Sequence, residues 1–186
     1  FIGLLFWLCL RYRTLLKISP KSLSYFIGLG TFGIGSAQFF YLLAISKINV
    51  AAAILLHYTG PVFVALYVVL VQRQKLSHNS TMAIIGTLIG CFLVVGAYNL
   101  QLFALNKGGI IAGFTAAIAF AVYSILSDYG MRSHSPWTVL LYGMLFAAVM
   151  WNILHPPLEA FLHGYSPIQW GCILFIGIFV TIFSFG

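Results

Sequence analysis

The chain has 186 residues, of which 62% are hydrophobic and 6% are charged, and its mean hydropathy is +1.05. A soluble domain carries about 25% charged residues, so this composition excludes a globular surface in water and indicates an integral membrane protein. Runs of about 20 apolar residues, without short alternating strands, predict an all-α, polytopic transmembrane helical bundle rather than a β-barrel.

The formal net charge of +7 does not indicate a nucleic-acid partner. The basic residues lie in the links between apolar segments, where Lys and Arg set membrane topology, so the expected partner is the lipid bilayer. The cysteines lie inside apolar runs and are expected to be packing residues, with no metal or other cofactor: Cys9, Cys91 and Cys172.

Seven apolar segments follow one another, separated by short links of Pro, Ser, Asn, Lys and Arg. The predicted segments are Phe1–Leu10, Ser24–Ile45, Val50–Val71, Thr81–Tyr98, Gly108–Ser127, Trp137–Leu154 and Gln169–Gly186. The first is too short to cross a hydrocarbon core about 30 Å thick, and the last stops within an apolar run. We therefore expect an internal piece of a longer protein.

Alternate links differ strongly in basic residues, which predicts orientation. One set holds seven and is predicted to be cytoplasmic: Arg11, Arg13, Lys17, Lys21, Arg73, Lys75 and Arg132. The other set holds Lys47 and Lys107 and is predicted to face outside, together with Glu159.

The second segment carries glycines and polar residues. Gly30 and Gly33 are small enough to let a neighbouring helix approach closely, and we expect them to be packing residues. Gln38 and Tyr41 are three residues apart and so share one helix face. Both are candidates for the lining of a polar cavity.

The third segment holds His57 four residues before Pro61. A proline inside a helix removes one backbone hydrogen bond and kinks the helix, and an imidazole in hydrocarbon is costly unless it faces the bundle interior. His57 is therefore a candidate substrate contact, with Tyr58 beside it. The alternative is a neutral histidine that only links two helices.

Later segments add further candidates. Gly86 and Gly90 have the spacing of close helix packing, and helices that dimerise share this spacing, so a homodimer is a further partner to test. Tyr123, Ser124 and Asn152 are additional polar residues at or near membrane depth. The chain has only two acidic residues, Asp128 and Glu159, and no catalytic set is apparent.

A faint internal repeat is also present. Ser19-Pro20 precedes an apolar run that contains Gly30, and Ser166-Pro167 precedes another that contains Gly177 at the same spacing. An odd number of spans separates the two copies, so they would enter the membrane from opposite sides, as in inverted-repeat transporters.

The run A-I-S-K-I-N-V-A-A-A-I-L-L-H-Y-T-G-P-V-F-V-A-L, with a basic link and then G-T-L-I-G-C-F-L-V-V-G, resembles the EamA-type domain of the drug/metabolite transporter superfamily. The segment G-I-I-A-G-F-T-A-A-I-A-F-A-V-Y-S looks like the opening helix of a second such domain. The resemblance implies ten helices in two inverted five-helix repeats, of which this chain holds about seven. Residues 1–100 would be most of the first repeat and 106–186 the start of the second. Gln74 stands where many relatives carry an acidic residue.

The resemblance implies a multi-pass secondary transporter, a permease or exporter of small metabolites such as amino acids or related compounds. It would work by alternating access around a mid-membrane cavity, in the plasma membrane, most simply a bacterial inner membrane. A membrane-embedded enzyme using His57 and a non-transporting helical scaffold are the alternatives. We expect no enzyme, and we expect His57 to be a hydrogen-bonding contact rather than a proton carrier.

Overall fold

The computed structural model describes residues 18–95, 106–154, 164 and 166–175. These residues form eight α-helices and one π-helical segment, with no strand among them. In chain order they are α1 (Pro20–Gly28), the π-helical segment (Leu29–Gly35), α2 (Ser36–Lys47), α3 (Val50–His57), α4 (Gly60–Leu70), α5 (His78–Val95), α6 (Lys107–Met131), α7 (Pro136–Leu154) and α8 (Pro167–Phe175).

Four helical stretches in the described part of the chain are long and apolar enough to cross a membrane. They are Ser22–Lys47, Val50–Leu70, Lys107–Met131 and Pro136–Leu154. Each agrees with a predicted segment to within four residues, and large apolar side chains such as Phe32 and Ile153, both 75% exposed, cover their outer surfaces. The predicted transmembrane helical bundle is confirmed.

Several predictions lie outside the described residues. They concern the segment Phe1–Leu10, the ends of the segments Thr81–Tyr98 and Gln169–Gly186, and the residues Cys9, Arg11, Arg13, Lys17, Glu159 and Gly177.

Polar residues in the short links begin the helices. The Asn49 side chain accepts a hydrogen bond from the Ala52 amide at 2.7 Å, and that of Asn106 accepts one from the Gly108 amide at 2.8 Å. Such side-chain acceptors satisfy backbone N–H groups that a helix leaves unpaired at its start. Asn49 therefore separates the spans Ser22–Lys47 and Val50–Leu70 with a very short turn.

The Ser-Pro pairs also mark helix starts. Ser19 accepts from the Ser22 amide at 3.3 Å, and Ser166 accepts from the Gln169 amide at 3.3 Å, with proline in the first turn of both helices. Ser135-Pro136 begins α7 as well. Because three helices start in this way, the dipeptide alone does not carry the predicted internal repeat, which stays a prediction.

Helix α6 lies at the centre of the described bundle and contacts α2, α3, α4 and the π-helical segment. Gly109, near the start of α6, lies against Ile48. Gly130, near the end of α6, lies against Tyr25. Lys107–Met131 therefore runs antiparallel to Ser22–Lys47.

The span Val50–Leu70 runs in the same direction as α6. Leu56 lies over Gly113, and Gly60 lies against the Ala117 carbonyl and the Phe120 ring. These directions are the ones that the predicted orientation requires. Which end faces the cytoplasm stays a prediction.

Helix α7 packs on the first half of the span Ser22–Lys47. Gly30 lies against Phe146, and the Phe26 ring stacks on the Tyr142 ring with centroids 5.2 Å apart. Phe26 and Leu29 are fully buried in this interface. Large side chains thus fill the space that the small residues leave, which holds the two helices in one register.

The packing predicts opposite results for two glycine substitutions. A Cβ at Gly30 would lie 2.5 Å from Phe146 Cβ and 2.7 Å from the Gly143 carbonyl oxygen, so Gly30→Ala should lower the free energy of unfolding by about 1–3 kcal/mol. At Gly86 nothing described lies within 4 Å, and Gly86→Ala should be neutral or stabilising by up to about 1 kcal/mol. Thermal melting in detergent measures both; equal melting temperatures would contradict the assigned interface.

The predicted orientation is tested by labelling single cysteines in a cysteine-free background. Ser77 lies in the basic link after α4, and Ser46 lies near the other end of the bundle; both are exposed. In intact cells, an impermeant thiol reagent added outside should label Ser46→Cys and not Ser77→Cys. The reverse pattern would show that the orientation is inverted.

Candidate functional site

His57 ends α3 at a break in the span Val50–Leu70. The Thr59 amide and hydroxyl both donate to the Leu56 carbonyl, at 3.1 and 2.6 Å, and the Val62 amide donates to the Thr59 carbonyl at 2.9 Å. Pro61 follows in the first turn of α4. Since proline has no N–H, the α-helical ladder is interrupted beside His57, and Thr59 supplies a replacement bond to a nearby carbonyl.

At 1.5 Å per residue, His57 lies roughly 10 Å from the Val50 end of a span about 30 Å long. The imidazole thus lies about one third of the way along this apolar span, away from both of its ends. A polar side chain at that depth is retained where it has a partner or a role within the bundle.

Three aromatic rings contact the His57 ring. Its centroid lies 5.1 Å from that of Tyr41, 5.3 Å from that of Phe120 and 6.3 Å from that of Tyr58. The Nδ1 atom is buried and has no hydrogen-bond partner among the described residues. The arrangement therefore combines an apolar, aromatic surround with one unsatisfied polar atom.

Tyr123 extends this cluster along α6. Its ring centroid lies 6.2 Å from that of Phe120, and a Cβ at Gly33 would lie 3.1 Å from Tyr123 Cβ. We call Tyr41, His57, Tyr58, Phe120 and Tyr123 the His57 cluster. Its members come from three spans, Ser22–Lys47, Val50–Leu70 and Lys107–Met131.

Three predicted lining residues do not join the cluster. Gln38 is exposed. The Ser124 hydroxyl donates to the Phe120 carbonyl at 3.0 Å, and the exposed Asn152 amide donates to the Ala148 carbonyl at 2.8 Å. Ser124 and Asn152 thus bond to the turn that precedes them in their own helix, which satisfies their polar atoms without a ligand.

The four predicted packing glycines fall into two groups, those with a close neighbouring helix and those without one among the described residues. Gly30 and Gly33 lie in close helix contacts, as described above. Gly86 and Gly90 have no described atom within 4 Å of an added Cβ. Their packing role, and with it the homodimer, stays a prediction.

Phe120 is the cluster residue that the sequence reasoning missed. An apolar side chain in an apolar helix carries no signal of its own. The available sign was its position three residues before Tyr123, which places both rings on one face of α6.

In the described part of the chain, the ion pair lies outside the His57 cluster. Asp128 pairs with Arg132 at 2.9 Å near the end of α6, where both side chains are largely exposed. No group of three or more His, Cys, Asp or Glu residues that could hold a metal occurs in the described ranges. The rings of the His57 cluster can stack on a planar or apolar group, and its imidazole can form a hydrogen bond.

One family model, the EamA-like transporter family, matches residues 1–96 and 107–186. An "uncharacterized transporter" of Archaeoglobus fulgidus is 32% identical over 104 residues, which are 56% of this chain and 36% of that protein. The "uncharacterized inner membrane transporter YicL" of Salmonella typhimurium is 26% identical over 137 residues, which are 71% of this chain and 45% of that protein. The chain thus spans less than half the length of these curated relatives, and no solved structure matches it.

Proposed function

The chain belongs to the EamA-like transporter family, and from that premise we propose that it forms part of a secondary transporter of small metabolites. Amino acids and related compounds are the proposed substrates. They would bind at the His57 cluster and be exposed to each side of the membrane in turn. The proposed location is a plasma membrane, in keeping with the relative named as an inner membrane transporter.

The observation that carries this proposal is the unpartnered Nδ1 atom of His57 inside a ring of aromatic side chains. An unsatisfied buried polar group costs about 1–3 kcal/mol. A substrate that supplies the missing hydrogen bond removes that cost, so the site favours ligands with a donor or an acceptor at that point.

The position of the cluster also supports transport. Three spans meet at it, and Val50–Leu70 is broken beside it at Tyr58 and Thr59. Interrupted helices near the middle of the membrane are the usual framework of substrate sites in secondary transporters.

The aromatic rings of the cluster bear on the proposed substrate class. They can pack against an apolar or planar side chain of the ligand, and the His57 imidazole can hydrogen-bond one of its polar groups. An amino-acid zwitterion carries both a carboxylate and an ammonium charge, so the second of these groups requires a polar partner besides His57.

A packing role is the competing interpretation, favoured by the three rings that surround the imidazole. The two roles predict different results for His57→Ala in the intact protein. As a substrate contact, its loss should lower the initial rate of amino-acid exchange in proteoliposomes by roughly tenfold, because one hydrogen bond of about 1.4 kcal/mol is lost. The amount and melting temperature of folded protein should change much less.

His78→Ala is the matched control, because His78 is an exposed histidine at the start of α5. It should leave both transport and folding unchanged. Wild-type exchange by a normally folded His57→Ala protein would refute the substrate contact. A parallel fall in folded protein and in transport would support the packing role instead.

A further inference from the structure

The span Ser22–Lys47 is not one regular α-helix. Its middle, Leu29–Gly35, is a π-helix, in which each N–H bonds to the carbonyl five residues back. A π-helical turn therefore holds one residue more than an α-helical turn. Such segments are uncommon and occur often at functional sites.

The side chains before and beyond the π-helical segment interlock with their neighbours to different degrees. Before and within it, Phe26 stacks on Tyr142, and Phe146 and Met150 fill the space beside Gly30 and Gly35. These contacts place large side chains of α7 into gaps left by glycine, so that half of the span is held in a fixed register.

Beyond the π-helical segment, α2 packs on α6 and α3 mainly with small side chains, and its Phe39 ring lies 6.2 Å from the Trp151 ring of α7. The buried cluster there consists mainly of alanines, with Ala44 of α2 against Ala52, Ala53 and Ala112. In this cluster Ile48, at the end of α2, lies over Gly109, whereas the alanines carry no side chain long enough to enter a gap in α6. A turn of α2 therefore displaces fewer interlocked side chains than a turn of α1 on α7.

Tyr41 lies on α2, beyond the π-helical segment, and its ring packs directly on the His57 ring. With Phe120 and Tyr58 it surrounds the imidazole in the conformation described here. Entry of a substrate therefore requires that at least one of these rings move away from His57.

We propose that Leu29–Gly35 is a joint whose change from π- to α-helix turns α2 about its axis and moves Tyr41 away from His57. Losing the extra residue of the π-helical turn rotates α2 by about 100° relative to α1, the angle of one residue in an α-helix. The joint controls access to the His57 cluster, and that role in access rests on the proposed transport function. The change from π- to α-helix at Leu29–Gly35 does not depend on the transport function.

Deleting Phe32 tests the joint in the intact protein. Phe32 lies within the π-helical segment, and its side chain is 75% exposed. The deletion removes the extra residue, so that a regular α-helix keeps both α1 and α2 on their present partners. The variant should fold and melt at or above the wild-type temperature.

Deleting Ile118 is the matched control. Ile118 is also an exposed apolar residue, but it lies in the regular helix α6. Its loss shifts one half of α6 by one residue against Tyr25 and Leu56, so this variant should lose its thermal transition or melt far lower. If both deletions disrupt folding equally, the joint proposal is wrong.

Distances between spin labels show whether the joint moves. Labels at the exposed positions Ile27 and Leu42 lie on opposite sides of the joint, and labels at Phe114 and Tyr129 have the same separation within α6. In wild-type protein the first pair should give two distances and the second pair one. Deleting Phe32 should reduce the first pair to a single distance, and one narrow wild-type distance would overturn the proposal.

Exchange assays then separate the joint from the proposed function. A folded Phe32-deletion protein should lose amino-acid exchange, because Tyr41 stays on His57. Exchange at the wild-type rate would overturn the control of access. If the wild-type protein exchanges none of the amino acids tested, the substrate proposal fails, and the label distances still decide the joint.

Discussion

Close approach of helix backbones to α6 is the constraint on which the rest of the structure depends. Lipid tails are as apolar as leucine, so helices in a membrane gain little by burying apolar side chains and instead associate through tight contact. Ile48, Leu56 and Tyr25 each lie over a glycine of α6, at 109, 113 and 130. These three contacts set the direction of two neighbouring spans and, in the conformation described, place the Tyr41 and His57 rings beside Phe120.

The hydrocarbon around the helices also determines the chemical character of the His57 cluster. Hydrocarbon cannot satisfy polar atoms, so Ser124, Thr87 and Asn152 bond to carbonyls of their own helices. The buried Nδ1 atom of His57 finds no such partner among the described residues, and neither do the buried Ser127 Oγ and His134 Nδ1 atoms. Beside His57, Pro61 interrupts the helix ladder, which places a polar atom and irregular backbone together inside the membrane.

Much of the fold could be predicted from the sequence, and less of the site. Apolar runs and the polar links between them gave the spans, because both follow from the length of the hydrocarbon core. The rotation of each helix could not be predicted, since helices that are apolar on every face carry no amphipathic signal. The exposure of Gln38 was therefore not foreseen and Phe120 was missed, while a cavity-lining role for Gln38 stays a prediction. The π-helical segment has no sequence signal either, because its glycines serve packing equally well in an α-helix.

The central claim is that substrate binds at the His57 cluster. Protection of a cysteine placed beside His57 (Tyr58→Cys, in a cysteine-free background of the intact protein) measures it directly, because His57 is kept and position 58 is half exposed. We expect at least one amino acid to slow alkylation at position 58 and to leave alkylation of a cysteine at the exposed position 86 unchanged. Equal alkylation rates at position 58 with every amino acid that the protein exchanges would contradict the account.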